Sequence, residues 1–328
     1  MQLEGLEAGH RASAVATALR APELGLAAIT VGAVAILSWM SPTFLTSATG
    51  RSILVALAAI GIIAVGQAYL LVAGEFDLSV GSVAALSAIV AAKLMTSSIS
   101  LPLALAAGVG VGAAVGLLNG VLTVKVGLPA FIVTLGMLFV ARGAALVIPD
   151  GGQPIYPLPE AITEFGEGSL VGLPWIVWIL FALVILADLV LRYSAYGRRL
   201  YATGGNVKTA ALAGINTDRV KMSSFVVVGA LSSVAGLLVM SRLGRGQPTI
   251  GVGWELQVIA AVVVGGLSLF GGIGTILGAF LGVLILQIVT TGLVFVGVDA
   301  SLQPVAVGIV MIVAVSLDHW RLRRLRMA

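Results

Sequence analysis

Residues Tyr201–Lys221 read YATGGNVKTAALAGINTDRVK, and they stand between two segments apolar enough to cross a bilayer. A segment that only had to turn the chain around would need a handful of polar residues. This one is patterned. Asn206 suits a helix N-cap, because its side-chain oxygen can accept a backbone N–H of the first turn. Val207–Ala213 reads as two turns rich in helix formers, and Gly214 supplies the left-handed residue that ends them. A short rod held parallel to a membrane face suits docking to a protein on that face.

Working outward, the chain has 328 residues, of which 59% are hydrophobic and only 10% charged, with a mean hydropathy of +1.13. Soluble domains carry about 25% charged residues. Apolar runs near span length, continuous rather than alternating, predict an all-α polytopic bundle in which each segment satisfies its own backbone. The 42 glycines fit close helix approach in lipid. With no cysteine there is no disulfide framework, iron–sulfur cluster or thiolate metal site.

The runs predict about ten crossings, at 24–41, 52–73, 78–96, 101–124, 131–149, 171–191, 222–243, 255–271, 273–292 and 303–318. Gly-rich sequence and Asp299 leave 273–302 open to a broken or re-entrant course. Three parts follow: a tail at 1–23, a membrane domain at 24–318 with a long loop at 192–221, and a basic tail at 319–328. Residues 1–23 carry Glu4, Glu7 and Glu23 beside Arg11 and Arg20, and Leu24–Met40 leads into Ser41-Pro42 without a small-x-small cleavage site, so the first run is expected to be a retained span. With both termini cytosolic, the inside segments hold Arg11, Arg20, Lys125, Arg192, Arg198, Arg199, Lys208, Arg219, Lys221, Arg321, Arg323, Arg324 and Arg326, which is 13 of the 18 basic residues. That is the positive-inside bias. The outside loop 150–170 has four acids and no base, whereas Arg51, Arg242 and Arg245 fall outside against the trend. A glycine echo between Gly108–Gly120 and Gly272–Gly282 fits either an internal repeat or packing alone.

Enzymatic chemistry finds little support. The only histidines, His10 and His319, lie in the tails, and no GxxxxGK[ST] loop is present to cradle ATP phosphates. Gly271-Gly-Ile-Gly274 resembles a nucleotide loop but reads better as a break between membrane segments. Three polar features remain in or near the spans. Glu75, Phe76, Asp77 and Ser79 sit in a junction with almost no spacer, readable as a capped turn or as a helix break lining a pathway. Arg142 sits within the fifth run and must find a carboxylate, carbonyl or water, with Asp77 or Glu75 as expected partners. Gln67, Asn119 and Thr134 are isolated polar groups that bond across helices or line a route for a hydroxylated solute.

Three blocks, GEFDLSVGS at 74–82, LPAFIVTLGMLFVARG at 128–143 and GRRLYATGGNVKTAALAGI at 197–215, resemble the permease subunits of ribose-type sugar ABC importers, which serve ribose, xylose, arabinose, galactose and related solutes. The likeness runs from the second span to the end. It implies that Gly205, Asn206, Lys208, Thr209, Ala210, Ala211, Leu212, Gly214 and Ile215 form a coupling segment fitting a groove on a cytosolic ATPase. It implies further a second permease copy or paralogue, a periplasmic sugar-binding protein, and residence in a bacterial inner membrane. The chain itself would bind no cofactor, ATP and Mg²⁺ being used by the ATPase. Glu75, Phe76, Asp77, Ser79, Thr134 and Arg142 are the pathway or gate candidates.

The expected mechanism is alternating access driven through a rigid coupling helix. An ion-coupled secondary transporter is the competing reading and would want acids deep in the spans. A purely structural membrane protein would have no use for a shaped helix in the loop.

Overall fold

Length divides the helices into two kinds. The computed structural model describes residues 22–41 and 43–299, together with 302, 305, 308, 309 and 312. In chain order these form α1 (Pro22–Met40), α2 (Ser47–Val72), α3 (Val80–Thr96), α4 (Leu101–Val124), α5 (Ala130–Val147), α6 (Glu160–Glu167), an antiparallel hairpin of β1 (Ser169–Leu170) and β2 (Leu173–Pro174), α7 (Trp175–Tyr193), α8 (Ala195–Gly205), α9 (Val207–Leu212), α10 (Thr217–Leu243), α11 (Trp254–Val264) and α12 (Ile276–Phe295).

Among the described residues, seven helices (α1, α2, α4, α5, α7, α10 and α12) are long and apolar enough to cross a membrane. α3 and α11 are as apolar but have only 17 and 11 residues. At 1.5 Å per residue they span about 26 and 17 Å, short of a ~30 Å hydrocarbon core. The sequence reading of about ten crossings is not confirmed: 78–96 and 255–271 hold these short helices. Most of 303–318 lies outside the described residues, as do residues 1–21 and 313–328 with His10, His319 and the terminal arginines.

Glycine and proline account for the shortening. Gly244, Gly246, Pro248, Gly251 and Gly253 fall within ten residues before α11, and Gly265 and Gly266 end it. The break expected at Gly271–Gly274 is present within 265–275, and α12 then runs unbroken over Ile276–Phe295 after the Thr275 side chain accepts the Gly278 N–H at 3.0 Å, the chain leaving the helix again at 296–299.

The core is built on α2, α3 and α10; the middles of α2 and α3 are almost entirely buried, and α10 has no exposed residue between Val220 and Met240. α10 packs most extensively on α4. Gly112 of α4 lies against Gly229 of α10, and a β-carbon on either would collide with the other's carbonyl. Backbone-to-backbone approach of this kind replaces hydrophobic drive in lipid. Outward, α1, α5 and α7 expose large apolar side chains such as Val31, Phe139 and Ile185.

Two triplets share one plan. α2, a turn, short α3 and long α4 are matched by α10, a turn, short α11 and long α12. α2 ends beside Gly272, on the face from which α10 departs, so the two series run in opposite senses. The N-terminal ends of α3 and α11 meet, Gly81 lying against Gly251 and Glu255. The glycine echo in sequence does not carry this symmetry: Gly112 and Gly116 of α4 face α10, whereas Gly278 and Gly282 of α12 face α11.

Candidate functional site

The 192–221 segment folds into a two-helix hook rather than one rod. Ser194 caps α8 by accepting the Gly197 N–H at 3.0 Å, a helix that sequence reasoning missed although Ser194 is a ready N-cap. Asn206 then ends α8 and caps α9, its Oδ1 accepting the Thr209 N–H at 3.0 Å. α9 closes as expected: Gly214 has φ +82, and Gly214 and Ile215 donate to Ala211 and Ala210 carbonyls. Asn216 caps α10 through the Arg219 N–H at 3.0 Å. Replacing Asn206 with alanine is expected to cost about 1 kcal/mol, and Gly214→Val a similar amount through backbone strain. Thermal unfolding in detergent reads both; unchanged midpoints would contradict the capping geometry.

The hook has an anchored side and a free side. Ala210 is buried and Ile215 packs on the core, while Lys208, Thr209 and Ala211 are exposed and Leu212 is 90% exposed. Gly205 and Asn206 are exposed at the bend. At the other end of the hook, Tyr201 donates to the Gly274 carbonyl at 2.6 Å, and Gly204 packs on the Val72 carbonyl and the Gly272 N–H, which are themselves bonded at 3.0 Å. Burial pushes the Tyr201 phenol above its ordinary range, so it stays a neutral donor. Through these contacts α8 touches both breaks in the bundle: the turn after α2 and the turn between α11 and α12.

The junction after α2 breaks the helix at 73–79, and a side chain closes its turn without capping the first amides of α3. Asp77 is buried; its Oδ1 accepts the Ser79 N–H and Oγ–H at 2.6 Å, and its Oδ2 accepts Asn119 Nδ2 at 3.0 Å. Neither Asp77 nor Ser79 bonds the first amides of α3, contrary to the capping expectation. The acid is held by a local polar triad that α4 completes. Glu75 lies nearer the surface and pairs with Lys221 of α10 at 2.7 Å, both side chains being less than one-fifth exposed. Removing one partner leaves a half-buried charge, so Glu75→Gln should cost about 1–2 kcal/mol. The double variant Glu75→Met/Lys221→Met should recover most of it in denaturant titration; additive losses would contradict the pairing. Phe76 tilts against the exposed Phe131, with centroids 6.5 Å apart.

Arg142 does not pair with Asp77 or Glu75, which are committed elsewhere. Its Nη1 donates to the carbonyls of Pro248 at 2.5 Å and Ile250 at 2.9 Å. Those carbonyls belong to the non-helical leg 244–253, which starts at the Ile155–Gly246 bridge and runs inward along α3 to Gly81. Helix-free backbone inside a bilayer must be satisfied by the protein, and Arg142 does this. The cluster of glycines and Pro248 was the signal that sequence reasoning passed over.

The remaining polar groups are interior in this conformation. Thr134 donates back to the Ala130 carbonyl at 2.8 Å and is fully buried, Asn119 belongs to the Asp77 triad, and Gln67 is enclosed with both amide atoms unbonded. None lines an open route. Arg242, expected to face outward, bonds the Gly166 carbonyl at 3.2 Å and ties α6 to α10, whereas Arg51 and Arg245 are exposed.

Residues 51–315 match the family model described as branched-chain amino acid transport system / permease component. The chain belongs to this permease family. Among its relatives are the ribose import permease protein RbsC of Escherichia coli (strain K12), 38% identical over 293 residues that cover 87% of this chain and 90% of that protein. RbsC of Bacillus subtilis (strain 168) is 40% identical over 301 residues, 91% and 92% of the two chains. The L-arabinose ABC transporter permease protein AraH of Azospirillum brasilense is 38% identical over 287 residues, 88% and 84%. No solved structure matches the chain. The matched region of this permease takes in the α8–α9 hook, the Asp77 triad and the leg that Arg142 holds.

Proposed function

We propose that this permease is the membrane-spanning subunit of an ATP-binding cassette importer that moves a sugar or related polyhydroxylated solute into the cytoplasm. Its relatives' names are those of ribose and arabinose permeases, which support the sugar class. The chain hydrolyses nothing itself. A separate ATPase uses ATP and Mg²⁺, a periplasmic sugar-binding protein delivers the solute, and a second permease copy or paralogue completes the pathway. The hook faces the cytosol together with both termini, in a bacterial cytoplasmic membrane, as the distribution of basic residues favours.

The observation that carries the coupling role is Leu212, 90% exposed at the tip of a helix capped at both ends. An isolated apolar tip on a rigid mount fits a partner's groove. Residues 205–215 are the docking element, and α8 passes its movement to the two breaks. Asp77, Ser79 and Thr134 act as packing inside the moving parts. Glu75, Phe76 and Arg142 stand at the gate, where α3 and α11 begin. The permease has no native cysteine, so Leu212→Cys carries a benzophenone label at one place. Expected is a light-dependent cross-link to the co-expressed ATPase that a label at exposed Val171 does not give. Equal cross-linking from both positions would refute the docking role.

A further inference from the structure

On the α8 face, a cleft of about 900 Å³ opens between α8 and the start of α10. Arg198, Arg199 and Arg219 line it, and none of its lining residues is acidic. Arg198 donates one N–H to the Tyr193 carbonyl at 3.3 Å, and a guanidinium has five donors, so most remain for a ligand. A second cavity, apolar and about 330 Å³, lies farther along α10 between α7 and α10, bordered by Leu186, Val190, Val227 and Ala230. Tyr196 lines both. Its hydroxyl is engaged with Ser223 and Ser224 at 3.0 and 3.2 Å, which fixes it as the wall between a basic mouth and an oily groove.

A cationic cleft set beside an apolar groove, with only Tyr196 between them, has the two-part chemistry of a glycerophospholipid. We propose that this is a binding site for an anionic phospholipid of the leaflet on the α8 side. Its phosphodiester lies among Arg198, Arg199 and Arg219, and one acyl chain lies in the groove between α7 and α10. Arginine suits the headgroup because its planar donor fork engages two phosphate oxygens at once. The occupant is placed against the back of the hook, since Ala213, Gly214 and Ile215 also border the cleft. The lipid would therefore brace α9 from the membrane side.

The test uses the full chain in mild detergent, titrated with phosphatidylglycerol or phosphatidylcholine and read by native mass spectrometry and thermal shift. The wild type should prefer phosphatidylglycerol. Each arginine near an anionic surface contributes a factor of about five, so Arg198→Gln/Arg199→Gln/Arg219→Gln should lose affinity roughly a hundredfold. The corresponding triple lysine variant should retain most of it, which separates charge loss from misfolding. Ala230→Phe, which fills the groove and leaves every arginine in place, should also lose retained lipid.

Four results would overturn the proposal. The first is a wild type without preference for phosphatidylglycerol. The second is undiminished binding by Ala230→Phe, meaning that charge alone attracts. The third is displacement of the lipid by millimolar glycerol phosphate, meaning that a soluble anion is the occupant. The fourth is a triple glutamine variant that keeps its lipid but no longer binds the ATPase, meaning that the cleft belongs to that partner.

Discussion

Arg142→Leu is expected to destabilise the permease by about 3–5 kcal/mol and to abolish transport. The change leaves the carbonyls of Pro248 and Ile250, two buried residues of the leg, without the donor that now reaches them. A buried acceptor that loses its partner costs about 1–3 kcal/mol, and two are lost together. The leg must then either unpack from α3 or draw solvent to the two carbonyls. Lysine at 142 is the informative comparison. Its single ammonium can reach one carbonyl well but cannot span two as a guanidinium does, so it should recover about half the loss. Denaturant titration in mixed micelles reads both variants. A leucine variant within about 0.5 kcal/mol of the wild type would mean that the leg is held by other contacts.

Gly204→Val should uncouple the machine with its docking helix still folded. A β-carbon at Gly204 would occupy the space of the Val72 carbonyl and the Gly272 N–H, backbone atoms that cannot swing aside. Overpacking of this kind typically costs 1–3 kcal/mol, and here the cheapest relief is to lift α8 away from both breaks. Transport should fall at least tenfold while the ATPase still binds. The neighbour supplies the control: a β-carbon at Gly205 meets nothing within 4 Å, so Gly205→Ala should transport as the wild type does. Equal defects in both variants would show that the contact of α8 with Val72 and Gly272 transmits nothing.

Much of this was legible in the chain because the signals are local. Asn206 and Gly214 mark their helix by side-chain capping and left-handed geometry, which need no tertiary context. Runs such as 101–124 announce themselves by length and hydropathy. What escaped reading depends on contacts across the bundle. Residues 244–253 look like an exterior loop, and nothing local says that they turn inward until Arg142 and Gly81 are seen beside them. The sequence shows that Arg142 needs a partner, but the choice between carboxylate and carbonyl depends on Glu75 finding Lys221 and Asp77 finding Ser79 and Asn119. Asn119 and Thr134 were read as possible lining groups because polarity alone cannot distinguish a pore wall from a satisfied interior. The length of the helix in 255–271 is not legible because hydropathy windows run across glycine turns such as Gly265–Gly266 without registering that the backbone has left the helix.

The measurement that bears most directly on the account is solute uptake by proteoliposomes assembled from this permease with the ATPase and binding protein proposed for it. Uptake of labelled ribose or arabinose should require enclosed ATP and Mg²⁺, stop when the ATPase is omitted, and persist when ion gradients are collapsed. Uptake by the permease alone, driven by a proton or sodium gradient with no nucleotide present, would contradict it.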